Sequence, residues 1–209
     1  DMAVHDLIKE YLTDHQRIIF NGDGYSDEWV KEAERRGLPN IKSTIEAADT
    51  LTTKKAIDLF NRFGVYTKTE LESRREIIFE SYAKTINIEA LTMIDMASKQ
   101  IIPAVMKYAG RVATDVNQIK AAGVDASVEV AELKEIQEQL GKMKDALDKL
   151  KASEEKARKI KDQRELAFFY KDKVLPIMEA LRTPADKLEM LVDKKDWPIP
   201  TYADLLFEG

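Results

Sequence analysis

Apolar residues between Thr69 and Tyr108 recur at helical spacing, and the rest of the chain is organised around that stretch. Leu71, Ile78, Tyr82, Ile86, Ala90, Met93, Ala97, Ile101, Val105 and Tyr108 fall at steps of three and four, with one step of seven. A second stripe joins from the middle onward, through Leu91, Ile94, Ile102 and Met106. A helix that is apolar on two sides needs cover on two sides, so the pattern predicts a spine that other helices pack around. At about 1.5 Å per residue, this stretch spans roughly 60 Å.

The pattern before the spine predicts shorter helices. Met2–Phe20 carries Leu7, Ile8, Tyr11, Leu12, Ile18 and Ile19 on one amphipathic helix, stopped by the turn Asn21-Gly22-Asp23-Gly24. Ser26 fits an N-cap, with Asp27 and Glu28 where the helix dipole favours acid, and that helix buries Trp29, Val30 and Ala33. Gly37 suits a left-handed C-terminal position and Pro39 forbids continuation. Ser43-Thr44-Ile45-Glu46 reads as a capping box for a helix to about Asp49. Lys54–Phe63 forms another, apolar at Ile57, Leu59, Phe60 and Phe63 and ended by Gly64. A second box, Thr67-Lys68-Thr69-Glu70, opens the spine. Pro103 removes one of its hydrogen bonds and predicts a kink there. The helix runs to about Ala122, and Gly123-Val124-Asp125 breaks it, with Asp125 or Ser127 as the next cap.

From Val130 the period changes. Leu133, Ile136, Leu140, Met143, Leu147 and Leu150 alternate three and four apart, a heptad seam flanked by charge. The predicted reversal is Ala152-Ser153, with Ser153 capping a return helix, Glu154 and Glu155 in its first turn, and Ala157, Ile160, Arg164, Ala167 and Phe168 continuing the seam. That arm goes on through Tyr170, Val174, Met178 and Leu181, with a bend at Pro176 and a restart at Pro184-Ala185-Asp186. Trp197-Pro198-Ile199-Pro200 is extended, because proline biases the residue before it. Thr201 caps a last helix with Leu205, Leu206 and Phe207, and a tail this apolar is expected to dock. The predicted fold is all-α: a helical bundle around one long central helix, with a heptad-patterned antiparallel helical hairpin. Its parts are residues 1–66 (short helices), 67–122 (central helix), 125–171 (hairpin) and 172–209 (closing helix and Pro-rich tail).

The chain has 209 residues, 44% apolar and 34% charged, enough for one sizeable core. A net charge of −5 with both signs interspersed favours neither nucleic acid nor an anionic membrane as partner. With no cysteine, disulfides, thiolate zinc sites and cysteine nucleophiles are excluded. No apolar run approaches the roughly 20 residues of a membrane helix. A soluble, cytoplasmic protein is expected. Asp1 is not an initiator methionine, and the chain reads as a fragment of something longer.

Candidate chemistry is sparse, and no catalytic, cofactor-binding or metal-ligating residue is assigned. No glycine-rich phosphate loop occurs, and the two histidines, His5 and His15, both lie near the start. His15 beside Arg17 reads as a helix-surface residue before it reads as a base. Asn21–Asp27 has the flavour of a calcium loop, with Glu32 twelfth, but Tyr25 stands at a ligand position and Ser26 replaces the sharp-turn glycine. The basic run Lys156–Lys161 lies in a stretch, Ala126–Glu165, with ten acidic and ten basic residues, a solvated face. Met93, Met96 and Met106 read as core filler. Glu89 and Asp95 lie in the most apolar part of the spine, either buried and functional or paired with Arg or Lys from another helix, the pair being preferred.

Several strings spread over nearly the whole chain resemble the C-terminal region of glutamine synthetase type III, the large bacterial form. They are Phe20–Trp29 (FNGDGYSDEW), Ala33–Asn40 (AERRGLPN), Asn87–Leu91, Lys99–Ala104, Ala185–Glu189 and Trp197–Tyr202. None is a mechanistic motif, so the resemblance is one of family. It implies an ATP-dependent ligase joining ammonia to glutamate through a γ-glutamyl phosphate, with ATP and magnesium or manganese in the full enzyme, within ring-shaped homo-oligomers. It also implies that the metal and phosphate ligands lie upstream, in a β-rich region. This segment would then be a non-catalytic, structural or oligomerising part, binding no cofactor itself, with the upstream catalytic region as its partner. The alternative is a free-standing helical protein-interaction module.

Overall fold

The structure, a computed structural model, describes residues 2–207, and the regular elements among them are helical, with no strand. The fold is all-α. None of these helices is long and apolar enough to cross a membrane. The chain divides into two compact units, residues 1–47 and 48–209.

The first unit holds α1 (Met2–Asp14), a 3-10 turn (Gln16–Ile18), α2 (Asp27–Arg35) and the start of α3 (Thr44–Thr50). The first helix stops at Asp14, short of the expected Phe20, and the cause lies on α2. Arg36 donates to the carbonyls of Arg17 at 2.6 Å and Ile19 at 2.9 Å, and so ties that segment to the end of α2. Ser26 caps α2, its Oγ accepting from the Trp29 backbone N–H at 3.2 Å. The α2 terminus is left-handed at Gly37 (φ 74°), where Leu38 N–H reaches back to the Ala33 carbonyl at 2.9 Å. Phe20 packs on Trp29 with ring centroids 4.7 Å apart.

In the second unit, α4 (Lys54–Arg62) precedes the spine. The spine is α5 (Lys68–Met96), a π-helical turn (Ala97–Ile101) and α6 (Ile102–Ala121) in one unbroken run. Thr67 and Glu70 form the predicted capping box. Proline 103 enters without ending the helix because the π turn precedes it. A proline has no N–H for the carbonyl four residues back and its ring crowds that carbonyl, and a widened turn makes room. The same arrangement recurs on the return arm, where a π turn (Tyr170–Val174) ends two residues before Pro176.

Gly123 (φ 78°) closes α6. The next helix, α7 (Ser127–Ala157), has Ala126 at its N-cap with no side-chain cap; Ser127 Oγ instead donates to Asp125 at 2.6 Å. The predicted reversal at Ala152-Ser153 is not a turn. Ser153 and Glu154 are buried inside α7, which continues to Ala157. The chain turns over Arg158–Asp162, and Asp162 caps α8 (Gln163–Phe169), accepting from Glu165 N–H at 2.7 Å. Serine and glutamate mimic a cap in sequence, but here their burial against the spine overrides that local preference. The return arm ends in α9 (Leu175–Leu191), which passes through Pro184 without the expected restart; the proline is buried, and its packing offsets the lost backbone bond.

The seam expected on α7 is its packed face. Ile136, Met143, Leu147 and Leu150 are buried, with Leu133 and Leu140 partly so. Each fully buried side chain of this kind contributes about 1.5–3 kcal/mol. They meet Met178, Leu181 and Leu188 of α9 and a line of small residues on the spine, Ala83, Ala90, Ala97 and Ala109. Alanine there lets α7 and the return arm approach the spine closely. The second spine stripe is covered only in part: Ile94 and Ile102 are half-buried, whereas Leu91 and Met106 are exposed. In the tail, Trp197 is buried and Ile199 half-buried, before α10 (Tyr202–Phe207), whose Leu205, Leu206 and Phe207 are exposed.

Candidate functional site

None of the carboxylates singled out in the spine is buried. Glu89 and Asp95 are both exposed, and Asp95 pairs with Lys99 one turn on. The reading of a bundle-interior acid falls with that. The pairing preferred for Asp95 is there, but within one helix rather than between two. His15 is exposed and stacks on Tyr11 at 5.7 Å. The Asn21–Asp27 loop spends its oxygens on its own backbone. Asp23 Oδ1 accepts from Tyr25 N–H at 2.9 Å, and Ser26 Oγ donates to the Asp23 carbonyl at 2.8 Å. Among the described residues, no three acidic or histidine side chains converge as metal ligands would.

The buried charge lies elsewhere. Glu154 on α7 is 2% exposed and is, among the described residues, the one charged side chain in the core. Asn87 of α5 donates its Nδ2 to Glu154 Oε2 at 2.8 Å and to the Tyr170 hydroxyl oxygen at 2.6 Å. Tyr170, the first residue of the second π turn, donates its hydroxyl to the same Oε2 at 3.2 Å. Three elements distant in sequence are thus joined through one carboxylate oxygen. Burial pushes the Glu154 carboxyl above its ordinary range, against the opposing pull of Tyr170, Arg158 and Asn87. The Tyr170 phenol is raised as well, again by burial first.

A cleft of about 340 Å³ opens where Met93, Met96 and Ala97 of the spine, Leu181 of α9, and Trp197 and Ile199 of the tail meet. Arg182, Asp186 and Glu189 stand among its lining residues, and Arg182 donates to Asp186 at 3.2 Å. Two of the three methionines read as core filler therefore line open space, while Met106 is exposed. The polar cluster holds a single carboxylate, and in the cleft Asp186 is taken up by Arg182, so neither fits a divalent ion bridging phosphates. The cluster can hold helices in register, and the cleft can admit a compact apolar group.

Sequence reasoning missed this cluster. Asn87 carried only family resemblance, Glu154 looked like a first-turn acid, and Tyr170 looked like one more seam residue. One signal was available: Glu154 lies seven residues past Leu147, on the seam itself.

A family profile described as glutamine synthetase C-terminal domain matches residues 3–120. The chain is 38% identical over 206 residues to a glutamine synthetase of Butyrivibrio fibrisolvens, a match covering 98% of this chain and 29% of that protein. It is 36% identical over 211 residues to a type-3 glutamine synthetase of Dictyostelium discoideum, with the same shares covered. To a glutamine synthetase of Bacteroides fragilis it is 33% identical over 213 residues, covering 99% of this chain and 29% of that protein. The chain spans less than a third of the length of these relatives.

Proposed function

Because this chain belongs to the glutamine synthetase C-terminal domain family, we propose that it is the helical, non-catalytic C-terminal part of a type III glutamine synthetase. The observation that carries this reading is the pairing of matches that cover 98–99% of this chain with coverage of only 29% of each relative. The whole enzyme joins ammonia to the γ-carboxylate of glutamate. ATP phosphorylates that carboxylate, ADP leaves, and ammonia displaces phosphate to give glutamine. ATP and magnesium or manganese bind in the larger, preceding region, a reading supported by Glu154, the buried carboxylate here, standing beside an amide and a phenol rather than other acids. The part played by this segment is mechanical. Its α7–α9 arm braces the spine, and the assembled enzyme is a cytoplasmic homo-oligomer with no nucleic-acid or membrane partner.

The test compares two proteins. The full-length polypeptide should form glutamine from glutamate, ammonia and ATP, and the 209-residue chain alone should neither turn over nor bind ATP in the presence of magnesium. Nucleotide binding by the isolated chain would refute the division of labour. Removing residues 125–191 from the full-length protein should lower the number of subunits per assembly, measured by light scattering; an unchanged subunit number would refute the bracing and oligomerising role.

A further inference from the structure

Among the described residues, the first helix has an apolar face that none of them buries. Val4, Leu7, Ile8, Tyr11 and Leu12 follow the i, i+3, i+4, i+7, i+8 pattern and together span an arc of about 140° around the helix. Their exposures are 60, 51, 53, 57 and 53%, and no residue of α1 is buried. The opposite side is polar, with Asp6, Lys9, Glu10 and Thr13. A helix of this length is marginal in water unless its apolar face is covered.

We propose that this face is seated on the catalytic region that precedes it in the same polypeptide. This makes the apolar face of α1 the contact of the first compact unit with that region. The proposal rests on the reading above, that most of the enzyme lies outside this chain. The relatives carry more than two thirds of their length beyond the matched stretch, and the family description places the matched part at the C-terminal end. The occupant nearest along the chain is therefore the end of that larger region. A second copy of α1 is a poorer fit. A stripe about 12 Å long on a helix about 10 Å wide offers far less than the roughly 800 Å² per partner of a stable interface. A tethered partner needs no such area, because the covalent link raises its effective concentration. The boundary between the compact units falls at residues 47 and 48, so α1 and α2 belong to the first unit and the spine to the second.

Amide hydrogen exchange over residues 2–14 tests this, in the full-length polypeptide and in the 209-residue chain. The expected result is rapid exchange in the chain alone and exchange slowed on the order of a hundredfold in the full-length protein. Leu7→Asp with Ile8→Asp should abolish the slowing, while Lys9→Gln with Glu10→Gln on the opposite face should keep it. Rapid exchange in both proteins overturns the docking; full glutamine-forming activity alongside it leaves the family reading standing. Slow exchange already in the 209-residue chain overturns it, because the cover then lies within the chain. Slowing that disappears when the assembly dissociates to monomers overturns it too, since the cover is then another copy. A native polypeptide no larger than this chain removes both readings together.

Discussion

Replacing Glu154 by glutamine tests whether its buried charge helps or hinders the fold. The carboxylate is 2% exposed, accepts from Asn87 and Tyr170 through one oxygen, and has its second oxygen, Oε1, without a hydrogen-bond partner. Its pKa is raised in the folded chain, by desolvation above all. A raised acid stabilises the fold fully below the unfolded-state pKa, and that contribution is lost as pH rises through the folded value. Once ionised, the group is a charge the fold would be more stable without, and each tenfold displacement of the proton equilibrium corresponds to about 1.4 kcal/mol. Glutamine keeps the shape and one carbonyl acceptor for Asn87 and Tyr170 but no charge. Glu154→Gln should raise unfolding stability at pH 7 by about 1–2 kcal/mol, as neutral replacement of buried ions often does. It should also flatten the decline in stability as pH rises above the ordinary carboxylate range. Glu154→Ala, which strands two donors and opens a void, should lower stability by about 2–4 kcal/mol at pH 4 and at pH 7 alike. Urea unfolding of the three proteins across pH measures this. If the glutamine variant is weakened at pH 7 and matches the parent at pH 4, the ionised form is favoured and the reasoning fails.

Other expectations follow from burial and charge. Ile136→Ala, at a fully buried seam position on α7, should cost about 3–4 kcal/mol in urea unfolding. Met106→Ala, on the exposed second stripe, should stay within about 0.5 kcal/mol. Hydrogen bonds first from Arg35 and then from Arg36 lower Glu32 to about 2, and carbon-detected NMR titration should find it there. That depressed value stabilises the first unit above the ordinary carboxylate range, and the contribution is lost as pH falls through about 2. Arg35→Gln should return Glu32 toward the ordinary value, and an unmoved titration would show that the pairs do not persist in solution.

The helices were legible because their signals are local. Thr67 and Glu70, Ser26, Gly37, Gly64 and Gly123 act where the sequence puts them, since a cap or a left-handed glycine involves only its neighbours. The failures came where distant residues decide. Ser153-Glu154-Glu155 has the form of a helix start, yet α7 runs through it because Asn87 and Tyr170, 67 and 16 residues away, receive the carboxylate. The 3-10 turn after α1 depends on Arg36, 19 residues beyond Arg17. The buried cluster was illegible for the same reason: its three members share no spacing, only a meeting point. The exposed face of α1 is the reverse case, a stripe read correctly as apolar whose cover the sequence could not name.

The π turn in the spine had a sequence signature. In an α-helix a step of four overshoots a full turn by about 40°, and a step of three falls about 60° short, so a straight stripe must mix them. From Met93 to Val105 the first stripe runs through half-buried Met93 and buried Ala97, Ile101 and Val105, three consecutive steps of four. On a regular helix that drifts by about 120° and carries Val105 off the packed face. The turn at Ala97–Ile101 takes up one extra residue and keeps all four positions on one side. It follows that one residue can be removed there if the proline goes with it. Deleting Gln100, which is exposed, together with Pro103→Ala should convert the turn to ordinary helix, keep the α6 face aligned and change stability by less than about 2 kcal/mol. Deleting exposed Ser81, in regular α-helix, rotates everything after it by about 100° and should abolish cooperative unfolding. Circular dichroism melts of the two deletions decide the matter. If both are tolerated, or if the Gln100 deletion is the more damaging, the turn is not an inserted residue and the account of the spine is wrong.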